Sequence, residues 1–81
     1  MILPTKHLSI DRSLLGVGAD VLSLLEEPKT VSRLWGDLQE RRAQSAAGRV
    51  TFDWFVLSLD LLHAVGAVEN ARGRLARRKA R

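Results

Sequence analysis

With no cysteine among its 81 residues, the chain has two histidines and nine carboxylates from which to build a metal site or an acid–base pair. Neither His7 nor His63 has a cysteine partner, and neither belongs to a recognised metal-ligand motif. Asp53 and Asp60 would share one side of a helix, but they are seven positions apart, whereas helix neighbours sit three or four apart. Gly16 and Gly18 follow no strand and lack a phosphate-cradling pattern. No Ser, His and Asp fall into a triad arrangement. The missing cysteines also remove disulfides, thiolate chemistry and zinc–cysteine sites. The expectation is a protein that is not an enzyme and needs no cofactor or metal.

The cations offer a different chemistry. Arg72, Arg74, Arg77, Arg78, Lys79 and Arg81 are six of thirteen basic residues, and no acid lies among them. The first seventy positions then hold seven bases against nine acids, so the net charge of +4 belongs to the C-terminus. Of these cations, Arg72, Arg74, Arg77, Arg78 and Lys79 could neutralise phosphates without sequence preference, or pair with an acidic protein surface.

These residues depend on the elements that carry them. The composition, 46% hydrophobic and 27% charged, is that of one globular domain with a small core. Such a core rarely supplies more than roughly 3–5 kcal/mol, so a partner would be unsurprising. The opening Met1 to Leu8 holds Ile2 and Leu3 before Pro4 and is expected to form an extended arm that docks on something. Ser9 is a plausible N-cap for a helix over Ile10 to Glu27, ended by Pro28. Within it, Gly16 and Gly18 mark either a break or a close crossing.

Thr30 is expected to cap a second helix whose apolar stripe is Val31, Leu34, Trp35 and Leu38. Its other face, with Arg33, Asp37, Gln39, Glu40, Arg41 and Arg42, reads as solvated. Gln44 to Arg49 is a loop, and Val50 is a candidate for a short strand.

Thr51 to Val65 (TFDWFVLSLDLLHAV) is predicted to be the central helix. At 100° per residue, Phe52, Phe55, Val56, Leu59 and Leu62 form one face, expected to be the core. His63 falls near that face and is expected to pack there or at an interface. Trp54, Leu57 and Leu61 form a second apolar face. It is either covered by the first helix or the N-terminal arm, or left as a docking surface.

Gly66 should end this helix. Beyond it, Ala67 to Glu69 and Arg74 to Arg77 bracket a turn over Asn70 to Gly73, a β-hairpin with Val68 and Leu75 inward. Three helices followed by a hairpin is the order of a winged helix-turn-helix domain. The helix before the wing usually enters the major groove and reads bases with Arg, Lys, Asn or Gln. This one has none of the four and carries two aspartates.

Laid out in this way, the chain resembles a known family. The stretches MILPTKHLS, DRSLLGVGA, LLEEPKTVSRLW, TFDWFVLSLDLLHAVGAVE and the later GRL are similar to the small middle component, the middle component 6 family, of ABC-three-component bacterial conflict systems. That resemblance implies an SMC/RecN-like ABC ATPase and an effector as partners, an adaptor role and anti-phage defence. It supplies no catalytic residues.

The combined expectation is a mainly α, winged helix-turn-helix-like domain spanning residues 1–81, with an arm at 1–8 and a basic tail at 78–81. Ile2, Leu3, Trp54, Leu57 and Leu61 are its candidate protein-interface residues, with a homodimer left open. Non-specific DNA contact through the basic hairpin is the alternative function. The opening MILPTKHL lacks the apolar run of a signal peptide, and no stretch approaches the ~20 residues of a membrane span. A cytoplasmic protein with no membrane contact is expected.

Overall fold

Two threonine caps and two chain breaks set out the architecture. The computed structural model describes residues 5–44 and 49–78. Three helices, α1 (Thr5–Leu24), α2 (Val31–Ala43) and α3 (Phe52–Ala64), precede two strands, β1 (Val68–Ala71) and β2 (Arg74–Arg77). The mainly helical, winged-helix-like arrangement is the one expected.

Helix α1 starts four residues before the Ser9 cap that its sequence favoured. Thr5 to Leu8 are therefore helical and not part of an extended arm, while Ile2 and Leu3 lie outside the described residues. At the other end the helix stops at Leu24. The Leu25 N–H is shared between the carbonyls of Val21 (3.1 Å) and Leu22 (3.2 Å), which tightens the last turn. Pro28 keeps the following residues from continuing it.

Gly16 and Gly18 do not break α1. A side chain at Gly18 would meet Leu62 Cδ2 of α3 at 3.7 Å, and one at Gly16 would meet Arg42 Nη2 at 3.5 Å. Both distances are ordinary van der Waals contacts with side chains, so neither glycine marks a close backbone crossing.

Thr30 and Thr51 cap α2 and α3 as their sequences predict, each side-chain oxygen accepting a backbone N–H at 3.2 Å, from Arg33 and Trp54 respectively. Val65 ends α3, and Gly66 follows at φ 76°, the left-handed geometry that glycine adopts without strain.

The core gathers Val17, Val21 and Leu25 from α1, Leu34 and Leu38 from α2, and Phe55, Leu59 and Leu62 from α3. Val68 and Leu75 seal it from the hairpin, in the inward positions their alternation assigned them. Arg42 corrects the picture of a uniformly solvated α2 face: it is buried, and its Nε donates to Asp20 Oδ2 of α1 at 2.7 Å.

The strands pair antiparallel, Val68 with Arg77 through Ala71 with Arg74. The turn is thus only Arg72 and Gly73, both at positive φ (56° and 80°), the geometry of a type I′ hairpin. Val50 forms no strand. An isolated antiparallel bridge outside the two strands is made by Lys29, whose N–H donates to the Leu75 carbonyl (3.0 Å) and whose carbonyl accepts the Leu75 N–H (2.7 Å). The wing is tied in this way to the α1–α2 connection.

Candidate functional site

Helix α3 occupies the position from which a winged helix presents side chains to a partner. Its inward face is Phe55, Ser58, Leu59 and Leu62. That face keeps Phe55, Leu59 and Leu62 of the expected one but is rotated by roughly 45° at 100° per residue, toward Ser58 and away from Phe52 and Val56. Phe52 and Val56, assigned to the core by their periodicity, are 51% and 38% exposed, while Ser58 is fully buried. Ser58 satisfies its hydroxyl by donating to the Phe55 carbonyl at 3.2 Å.

The outward face of α3 consequently carries Phe52, Asp53, Val56, Leu57, Asp60 and His63. His63 is on this exposed side and not in the core, with Nδ1 2.9 Å from the Leu59 carbonyl oxygen. The expected docking stripe is divided by the fold. Leu57 is 50% exposed, but Trp54 and Leu61 are half-buried at its edge. The other two interface candidates, Ile2 and Leu3, fall outside the described residues.

A feature that periodicity alone missed sits where α2 meets α3. Phe55 is fully buried, and the Trp35 ring lies over it with centroids 5.0 Å apart. Phe52 meets Trp35 edge-on at 5.3 Å and Phe55 at 5.8 Å. The three rings form a graded stack from core to surface, which holds Phe52 in one place. Val31 lies one turn before Trp35 on α2 and is exposed, and Val56 lies one turn after Phe52 on α3. The available signal was the i, i+4 pair of large apolar residues on each of the two helices.

The basic hairpin is likewise divided. Arg72, Arg74, Arg77 and Arg78 are all exposed, and Lys79 lies outside the described residues. Arg72 and Arg74 line a shallow depression at the wing tip with Pro28 and Ala71. Arg77 and Arg78 instead line a cleft shared with Glu26, Glu27 and Glu69, three carboxylates that offset their charge. The split follows the length of the hairpin: Arg72 and Arg74 sit at its turn, Arg77 and Arg78 at its open end.

Four cations elsewhere are engaged within the fold. Lys29 Nζ contacts Asp37 Oδ2 at 2.7 Å, Arg33 lies near Glu27 and Asp37, and Arg41 and Arg42 both reach Asp20. The hydrogen bond from Lys29 is the main reason that the Asp37 carboxyl is held below its ordinary 3.8; partial burial opposes it, and the charges of Lys29 and Arg33 add to the lowering.

Among the described residues, no three His, Asp or Glu side chains cluster where they could hold a metal ion, and no helix is long and apolar enough to cross a membrane. The fold and this surface define a small winged-helix-like domain whose outward helix is apolar and acidic. Residues 3–78 match the family model of the ABC-three component (ABC-3C) system Middle Component 6, and the chain belongs to that family. No curated protein and no solved structure matches it.

Proposed function

We propose that this chain is a non-catalytic adaptor subunit, linking an SMC/RecN-like ABC ATPase to an effector in a bacterial anti-phage defence complex in the cytoplasm. Family membership supplies the system in which it works. One observation carries the reading toward protein docking: the outward face of α3 presents Phe52, Val56 and Leu57 with Asp53 and Asp60, and no Arg, Lys, Asn or Gln. Base edges need those donors and acceptors, and phosphates repel carboxylates. Exposed apolar side chains fixed by a ring stack suit a protein surface instead.

The test is reconstitution. The ATPase and effector of the same system are mixed with and without this chain, and the masses are measured by light scattering after size exclusion. A ternary complex that forms only when the chain is present is the expected result. An ATPase and effector that associate equally well without it overturn the adaptor reading.

A second reading rests on Arg72 and Arg74 at the wing tip, which carry no carboxylate in the depression they line. They favour a non-specific phosphate contact that helps such a complex hold duplex DNA. Two phosphate contacts give a dependence of log affinity on log salt of only about −2. A slope near that value, lost when both arginines become Ala, is the outcome that supports it.

A further inference from the structure

We infer that the exposed corner formed by Trp35, Phe52 and Val56, bordered by Asp53 and Asp60 with Leu57 on their far side, docks an apolar surface on a partner protein that is rimmed by Lys or Arg. The inference rests on the adaptor reading and specifies the chemistry of what is adapted.

Three observations lead to this occupant. First, the patch is pre-organised. Phe52 is half exposed yet held by Trp35 at 5.3 Å and by the fully buried Phe55 at 5.8 Å, so little side-chain freedom remains to be lost on binding. Ordered aromatic anchors of this kind concentrate interface energy. Second, the charged side chains that α3 itself presents there, Asp53 and Asp60, have one sign. Asp53 and Asp60 lie seven residues apart, so both stand on the outward side of α3, and among the described residues neither forms an ion pair. A partner with cations at its rim would be steered to this face and registered on it.

Third, the same charges disfavour the other occupants. A second copy related by a two-fold axis would bring these carboxylates toward their own counterparts, because a two-fold interface apposes one patch to itself. Duplex DNA and anionic lipid carry the same sign as the aspartates. The basic residues of the wing tip are on a different element.

The experiment measures the affinity of the intact chain for the ATPase and, separately, for the effector of its own system, at low and moderate salt. Wild type is compared with Asp60→Lys, with the double variant Val56→Gln and Leu57→Gln, and with Arg72→Ala plus Arg74→Ala. All changed positions are exposed, and circular dichroism checks that each variant remains helical. The expected result is a monomeric chain that binds at least one component, more weakly as salt rises. Asp60→Lys and the double Gln variant should each weaken binding at least roughly tenfold, and the arginine variant should not.

A complex that forms but is unaffected by either α3 variant overturns the docking corner and leaves the adaptor reading standing. No complex with either component overturns both. A chain that dimerises alone, and becomes monomeric with the double Gln variant, shows the corner to be occupied by a second copy and overturns the basic-rimmed partner.

Discussion

Arg42 of α2 donates from Nε to Asp20 Oδ2 of α1 at 2.7 Å, with the guanidinium side chain only 9% exposed and the carboxylate 26%. Arg41 adds a longer contact to Asp20 at 3.9 Å and a hydrogen bond to Ser23 Oγ at 2.6 Å. The first two helices are therefore joined by a polar seam beside the apolar core.

The seam predicts an asymmetry between its two partners. Asp20→Ala strands the more buried charge, whereas Arg42→Met keeps the packing of the stem and leaves a carboxylate that water reaches. Asp20→Ala should cost about 1–3 kcal/mol, below the full value for a buried pair because Asp20 is partly hydrated. Arg42→Met should cost less. Urea denaturation of both variants checks this, and an Arg42→Met that is the more damaging of the two refutes the assignment.

Gly36 stands in the interior of α2, exposed, with open space where a side chain would be. Gly36→Ala should raise stability by about 0.5–1 kcal/mol through helix propensity and a less flexible unfolded chain. In a domain of this size that is a rise of a few degrees in Tm, roughly 4–8 °C per kcal/mol. Thermal melting followed by circular dichroism would show it.

Asp37 predicts a pH dependence. Its carboxyl is held below 3.8, chiefly by the Lys29 hydrogen bond, so the folded chain gives up this proton more readily than the unfolded chain. The stabilisation is present above 3.8 and disappears as pH falls through the lower folded value. The gap in stability between wild type and Asp37→Asn should thus be flat around neutral pH and close in acid. A gap that widens as pH falls contradicts the sign.

Ser58 is fully buried, and among the described residues its hydroxyl bonds only the Phe55 carbonyl within its own helix. Ser58→Ala removes the donor without stranding a group that depends on it, and the change should stay within about 1 kcal/mol. Ser58→Leu should cost more, about 1–3 kcal/mol, by overpacking the face that meets the core. Denaturant midpoints of the two variants separate these effects.

Much of the fold was legible along the chain because its signals are local. Thr30 and Thr51 cap helices through their own side chains, Pro28 and Gly66 interrupt them through backbone sterics, and Val68 and Leu75 follow strand alternation. The stretches that resemble middle component 6 gave the family in the same way. None of these signals needs a neighbour distant in sequence.

The candidate site was decided by the tertiary structure. A helix that is apolar on nearly all sides, as α3 is, has no periodicity strong enough to fix which side turns inward. The place where α1 crosses it at Gly18 and Leu62 and the Trp35 ring set that rotation, burying Ser58 and exposing Phe52 and Val56. Likewise, Arg42 looked solvated until α1 brought Asp20 beside it, and Lys29 became a bridge partner only when Leu75 arrived to pair with it. Sequence determined the order of the main elements and, at Thr30, Thr51 and Gly66, where helices start or stop, since those are properties of neighbouring residues. The bounds of α1 and β1 were not legible in it. Which faces those elements keep for a partner depended on contacts between residues far apart in the chain.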